Sequence, residues 1–359
     1  MKKLIVVSFL LSSYFLQAQQ TENIIIITTD GFRWQEVFDG MDKDIANDKR
    51  YHQNDSAKIF EKYWAEDGES RRKKLLPFFW NTIAAKGQLY GNRLIGNKVK
   101  VSNSQWFSYP GYSEIMCGYV DTAINSNGYK ANPNTTLLEY FNKQSALKGK
   151  VLAFGAWDAF NRILNEERSG IPVIAAYDQF GGANPTTNEK LINNMVQDSY
   201  RQWSEECLDV FTQYEAMEHL QTKKPRVMYI AYGETDEWAH SHQYRSYLDA
   251  AHQVDAWIKK IWDFVQSDPQ YKNKTTLFIT TDHGRGITNK TKWTSHGASV
   301  DDADQIWFAV MGPNTPATGE VKTQTQVYQK QFAQTMAKLM GYQFTAEHPV
   351  ADLIPSVIK

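Results

Sequence analysis

Asn23-Ile24-Ile25-Ile26-Ile27-Thr28-Thr29, running straight into Asp30-Gly31, is the stretch whose reading decides the fold. Four consecutive isoleucines leave no polar residue on either alternating set, so both faces of this strand need covering. A strand buried on both sides belongs in the middle of a parallel sheet flanked by helices. Comparable apolar runs recur at 150–154, 171–176, 226–231, 275–281 and 306–311. Helical spacing of Leu248, Ala251, Val254, Trp257, Ile258 and Ile261 fills 247–265, and 326–339 reads as a further helix. Strands alternating with helices predict an α/β fold, a three-layer α/β/α sandwich around a central, mostly parallel sheet. Sites in such sheets form beyond the carboxyl ends of the strands.

Outward from that strand, the chain begins with Met1-Lys2-Lys3, an apolar stretch over Leu4–Leu11, and Leu16-Gln17-Ala18. A basic start, a short apolar run and a small residue at the end form a signal peptide at 1–18, so export to the periplasm or medium is expected, with no stable membrane anchor. The remainder, 19–359, reads as one catalytic domain. Two stretches break the strand–helix rhythm: a charged one at about 40–74, expected to be a solvated insertion, and a polar, mostly helical one at about 178–222, expected to cap a cleft. A formal net charge of −1 without basic runs argues against a nucleic-acid duplex as partner, since phosphate contacts need clustered Lys and Arg. Cys117 and Cys207 are too few for a disulfide scaffold and are expected to be free thiols.

Three apolar strands end on residues that bind metals. After 23–29 comes Asp30; after 226–231 comes Gly233-Glu234-Thr235-Asp236-Glu237-Trp238-Ala239-His240; after 275–281 comes Asp282-His283-Gly284, with His296 a little further on. Singly, each has a bland explanation as a helix cap, a turn or a surface histidine. Together they gather carboxylates and imidazoles on one rim of one sheet, a costly arrangement unless the charges are paired or hold a metal. Between them lies Phe107-Ser108-Tyr109-Pro110-Gly111-Tyr112-Ser113-Glu114-Ile115-Met116-Cys117-Gly118.

This segment resembles the nucleophile motif of the alkaline phosphatase superfamily, in particular its phosphodiesterase/nucleotide pyrophosphatase branch: Ser108, Pro110 and Gly118 keep the family spacing. The resemblance implies Ser108 as nucleophile and two divalent ions, zinc first and manganese second. It assigns Asp236, His240 and His296 to one ion, and Asp30, Asp282, His283 and the Ser108 oxygen to the other. Mixed oxygen and nitrogen donors suit zinc. Two ions ~4 Å apart clamp an in-line displacement at phosphorus. Sulfatases of the superfamily have an arginine where Tyr112 stands, which disfavours formylglycine chemistry. Many diesterases carry an asparagine where Gly111 stands; Asn127 and Arg162 are the candidates to hold substrate oxygens instead. The expected function is therefore hydrolysis of small-molecule phosphate esters through a phosphoseryl intermediate, monoesters preferred. The alternatives are diester or phosphonate hydrolysis on the same site, a phosphoglycerate mutase-like enzyme, and a non-catalytic binding protein. His242 and His252 fall outside the motif and are expected to be structural; Trp34, Trp106, Trp157 and Trp238 flank the proposed residues, with packing as their default role.

Overall fold

The computed structural model describes residues 20–359, so the expected leader at 1–18 lies outside the described residues. The strands are β1 (Asn23–Thr29), β2 (Gln88–Tyr90), β3 (Lys98–Lys100), β4 (Val151–Gly155), β5 (Val173–Ala175), β6 (Val227–Tyr232), β7 (Thr275–Thr280), β8 (Gln305–Ile306), β9 (Phe308–Met311), β10 (Gly319–Glu320) and β11 (Gln326–Tyr328). Eight of them form one sheet in the order β10-β2-β9-β7-β1-β6-β4-β5, and β11-β3-β8 form a small second sheet. In the large sheet only β9 runs against its neighbours.

β1 sits in the interior as its composition requires, parallel to β6 on one side (Ile27 opposite Ile230) and to β7 on the other (Ile27 opposite Ile279). Its isoleucines alternate between two cores. Ile25 and Ile27 join the core built with the Tyr244–Ser267 helix, while Ile24 and Ile26 join the core under the Ser108–Cys117 and Phe332–Leu339 helices. Each isoleucine withdrawn from water contributes roughly 1.5–3 kcal/mol. These two cores are the two interfaces of a three-layer α/β/α sandwich, as the sequence predicts.

Two local expectations fail. The 40–74 stretch is not wholly solvated: it forms the helices Lys43–Asn47, Ser56–Tyr63 and Gly68–Leu75, which send Ile45, Ile59, Tyr63 and Leu75 into the core beside Met41. Its charges are used at close range, with Arg71 on Asp39 at 2.7 Å and the Arg72 guanidinium 3.5 Å over the Trp80 ring. The predicted helix at 326–339 begins late, because 326–328 is β11 and only Phe332–Leu339 is α-helical. The 178–222 stretch is helical as expected, in Thr187–Asp198 and Asp209–Thr222; the second helix packs on β4 and β6. Both cysteines are buried and unpaired.

Candidate metal centre

β7, β1 and β6 are adjacent, so the residues that follow them emerge side by side. Asp30 leaves β1 with its N–H on the Tyr232 carbonyl at 2.9 Å; Asp282 and His283 follow β7, and the Glu234–His240 helix follows β6. Spacing of four on that helix puts Asp236 and His240 on one face. His296 arrives from the loop after the 290–294 turn, tied to the nucleophile segment by the Gly297 N–H on the Trp106 carbonyl at 2.9 Å.

Two donor sets result, Asp30–Asp282–His283 and Asp236–His240–His296, each with its ligand atoms within 4.8 Å of one another. The three Asp and three His among the seven metal residues expected from sequence are brought together, in the division the resemblance implies. His240 Nε2 and His296 Nε2 converge to 2.9 Å, and Asp236 Oδ2 lies 2.9 Å from His240 Nε2. In the other set, His283 Nε2 is 3.2 Å from Asp30 Oδ1 and 3.4 Å from Asp282 Oδ2. The two sets abut, with His283 Nε2 3.8 Å from Asp236 Oδ1.

The electrostatics fit bound cations. Burial and the neighbouring Asp236 charge raise Asp30; burial and Asp30 raise Asp282 well above the carboxylate range. Burial opposes protonation of His283, but Asp282 and Asp30 outweigh it and push it up to about 9. His296 is held well below the ordinary range by burial and by His283. Such opposed shifts within one cluster mark charge without compensation, which a dication supplies. Local bonding agrees: Asp282 Oδ2 is buried and makes no hydrogen bond, and His283 Nδ1 is engaged by the Gly284 carbonyl at 2.9 Å, which turns Nε2 toward the site.

Ser108 is the first residue of the ten-residue Ser108–Cys117 helix, which ends on left-handed Gly118 (φ 63°). Its Oγ lies 3.3 Å from His283 Nε2 and 3.5 Å from Asp30 Oδ1. Trp106, just before it, adopts φ 55°, an uncommon conformation for a bulky residue and one that clusters at functional sites. Asn127 Oδ1 accepts the Tyr109 N–H at 3.0 Å, which orients its amide beside the helix start and leaves the NH2 as donor. The half-exposed Arg162 donates from Nη2 to the Asn127 carbonyl at 3.4 Å, so both substrate candidates sit next to the nucleophile turn.

Sequence reasoning missed the groups that hold the ligands. Arg285 is fully buried and donates from Nη2 to Asp236 Oδ1 at 2.6 Å; together with His240 and His296 it outweighs burial and keeps Asp236 well below its usual range. Tyr112 donates to Asp30 Oδ2 at 2.9 Å, and Gly31 N–H to Asp282 Oδ1 at 3.0 Å. The remaining histidines behave as expected: His252 bonds the Leu75 carbonyl at 2.7 Å, and His242 packs edge-on to Tyr51. Trp34 bonds Gln305 at 3.0 Å.

Residues 184–343 match the model of the Metalloenzyme superfamily. Among solved structures, the chain resembles a mutant form of the alkaline phosphatase PafA (TM-score 0.61, 9% identity, covering 95% of this chain and 99% of that one). It also resembles a 2-O GAG sulfatase (TM-score 0.58, 14% identity, 94% and 74% covered). A third likeness is to the lipoteichoic acid synthase LtaP from Listeria monocytogenes (TM-score 0.51, 12% identity, 91% and 73% covered). No curated protein matches by sequence.

Proposed function

We propose that this chain, which has an alkaline-phosphatase-like fold and matches the Metalloenzyme superfamily model over residues 184–343, is an exported phosphohydrolase that cleaves phosphate esters, monoesters preferred, with Ser108 as nucleophile. The observation that carries this reading is the Ser108 Oγ, 3.3 Å from His283 Nε2 at the edge of two abutting sets of metal-type donors. Asp236, His240 and His296 would hold one divalent ion, and Asp30, Asp282 and His283 the other. Such ions, zinc by the donor chemistry, supply Lewis acidity that lowers the serine pKa and offsets charge on the phosphoryl oxygens.

The protein's own groups do the rest. Ser108 Oγ attacks phosphorus, the ester oxygen departs with its electron pair, and the phosphoseryl bond is later broken by water. The Ser108–Cys117 helix aims the positive end of its dipole at the reacting group. The Asn127 amide, bonded to the Tyr109 N–H, and the Arg162 guanidinium, bonded to the Asn127 carbonyl, would hold non-bridging oxygens, and an arginine rewards the dianionic charge of a monoester. Tyr112 stands where the sulfatase motif needs an arginine and is committed to Asp30, which favours phosphate over formylglycine chemistry.

Comparing 4-nitrophenyl phosphate, its bis-ester and its sulfate tests the proposal. The monoester is expected to turn over fastest, and Ser108→Ala to lose about a thousandfold or more in kcat. Faster turnover of the bis-ester or the sulfate overturns the substrate class, and retained activity in Ser108→Ala overturns the nucleophile.

A further inference from the structure

The helix that carries Asp236 and His240 starts on Gly233, which has no side chain to cap it. Four N–H groups at a helix start need partners, and a missing cap costs roughly 0.5–2 kcal/mol. Here the partner comes from the 178–222 stretch. Asp209, 1% exposed, accepts the Gly233 N–H at 2.7 Å on one carboxylate oxygen and the Glu234 N–H at 3.1 Å on the other. The bonding is reciprocal, because the Asp209 N–H donates to Glu234 Oε1 at 2.9 Å.

Neighbouring contacts bind the same two segments. Trp203, from the 178–222 stretch, packs edge-on to Trp238 at 5.0 Å, and the Trp238 indole is fixed within its own helix by donating to Glu234 Oε2 at 3.0 Å. The Glu206 carboxylate lies so close to Gly233 that a Cβ there would come within 1.7 Å of Oε1. At 3.6 residues per turn, Glu234 and Trp238 lie on the side of the helix away from Asp236 and His240. The inserted segment therefore grips the back of the helix whose front presents the donors.

We propose that Asp209 is a positioning residue of the metal centre: by capping the Glu234–His240 helix in place of Gly233, it sets the affinity of the Asp236–His240–His296 site. The 178–222 stretch is thus part of the metal site's frame. The inference rests on the two-metal reading above. Outer groups that orient ligands characteristically change metal affinity 10–100-fold when removed.

The test is zinc binding by the metal-stripped full-length chain, measured in competition with a chromogenic chelator, for wild type, Asp209→Ala and Asp209→Asn. Wild type is expected to bind two ions. Asp209→Ala should keep one at wild-type affinity and bind the other at least about 10-fold more weakly. Asp209→Asn, which retains one acceptor oxygen, should fall between. Unchanged affinities in Asp209→Ala overturn the inference, and so does equal weakening at both sites, which is what general damage to the fold produces. If the alanine variant does not fold, the asparagine variant decides by the same criteria. A wild-type chain that binds no zinc overturns the two-metal reading itself, a failure distinct from unchanged variants on a wild type that binds two.

Discussion

Arg285 places a permanent positive charge, with no solvent around it, 2.6 Å from a carboxylate that should also bind a dication. Removing one member of a buried ion pair costs about 3–5 kcal/mol because the other is left uncompensated. Arg285→Met should therefore lower the thermal midpoint of the metal-free protein sharply, and zinc should restore much of the loss by standing in for the missing cation. Equal destabilisation with and without zinc, measured by thermal unfolding, would count against this role. At this scale the sequence was legible where a residue's identity is odd for its place: Asp30, Asp282 and His283 end strands that are otherwise apolar. Arg285 and Tyr112 were not legible, because their partners lie 49 and 82 positions away and only the fold brings them together.

At the scale of elements, the Ser108–Cys117 helix lies against the loop that carries Asp282. A Cβ on Gly111 would stand 2.6 Å from the Asp282 carbonyl oxygen, so the asparagine that many diesterases place here has no room. Gly111→Asn is accordingly expected to destabilise the fold by about 1–3 kcal/mol, as overpacking does, and to leave bis-ester turnover no higher. Urea unfolding and bis(4-nitrophenyl) phosphate kinetics check the two halves. The elements that escaped prediction have a common cause. β2, β3 and β10 are two or three residues long, too short for a period of two to show, and β11 abuts a helix whose apolar spacing masked it. The charged 40–74 stretch misled because Arg71 and Arg72 cover aromatic and acidic neighbours that sequence does not reveal.

For the whole molecule, metal and proton binding both couple to stability. The buried carboxylates of the two donor sets should make the stripped protein less stable than the loaded one. Zinc at about 100 times its dissociation constant adds roughly 2.7 kcal/mol per site, seen as a rise in Tm. Glu215, inside the Asp209–Thr222 helix, is pushed up to about 8 by burial, with the Asp178 charge adding to the shift. The native chain thus keeps a proton that the unfolded chain releases near 4.5, so this contribution is present at low pH and lost as pH rises through about 8. Glu215→Gln should flatten the fall in Tm between pH 5 and 8 in the metal-free protein; an unchanged slope would refute the assignment. The central place of β1 has a consequence of another kind, in the order of synthesis. Its neighbours β6 and β7 are made about 200 and 250 residues after it, so the four isoleucines wait unpaired through most of translation. A nascent chain stopped before residue 275 lacks one wall of its first strand, and an exposed, uncharged β-branched run of that kind is prone to aggregate. Among the described residues, β1 gains its second neighbour only once the chain has been made through residue 280, and until then its isoleucines stay open to association with other copies of the chain.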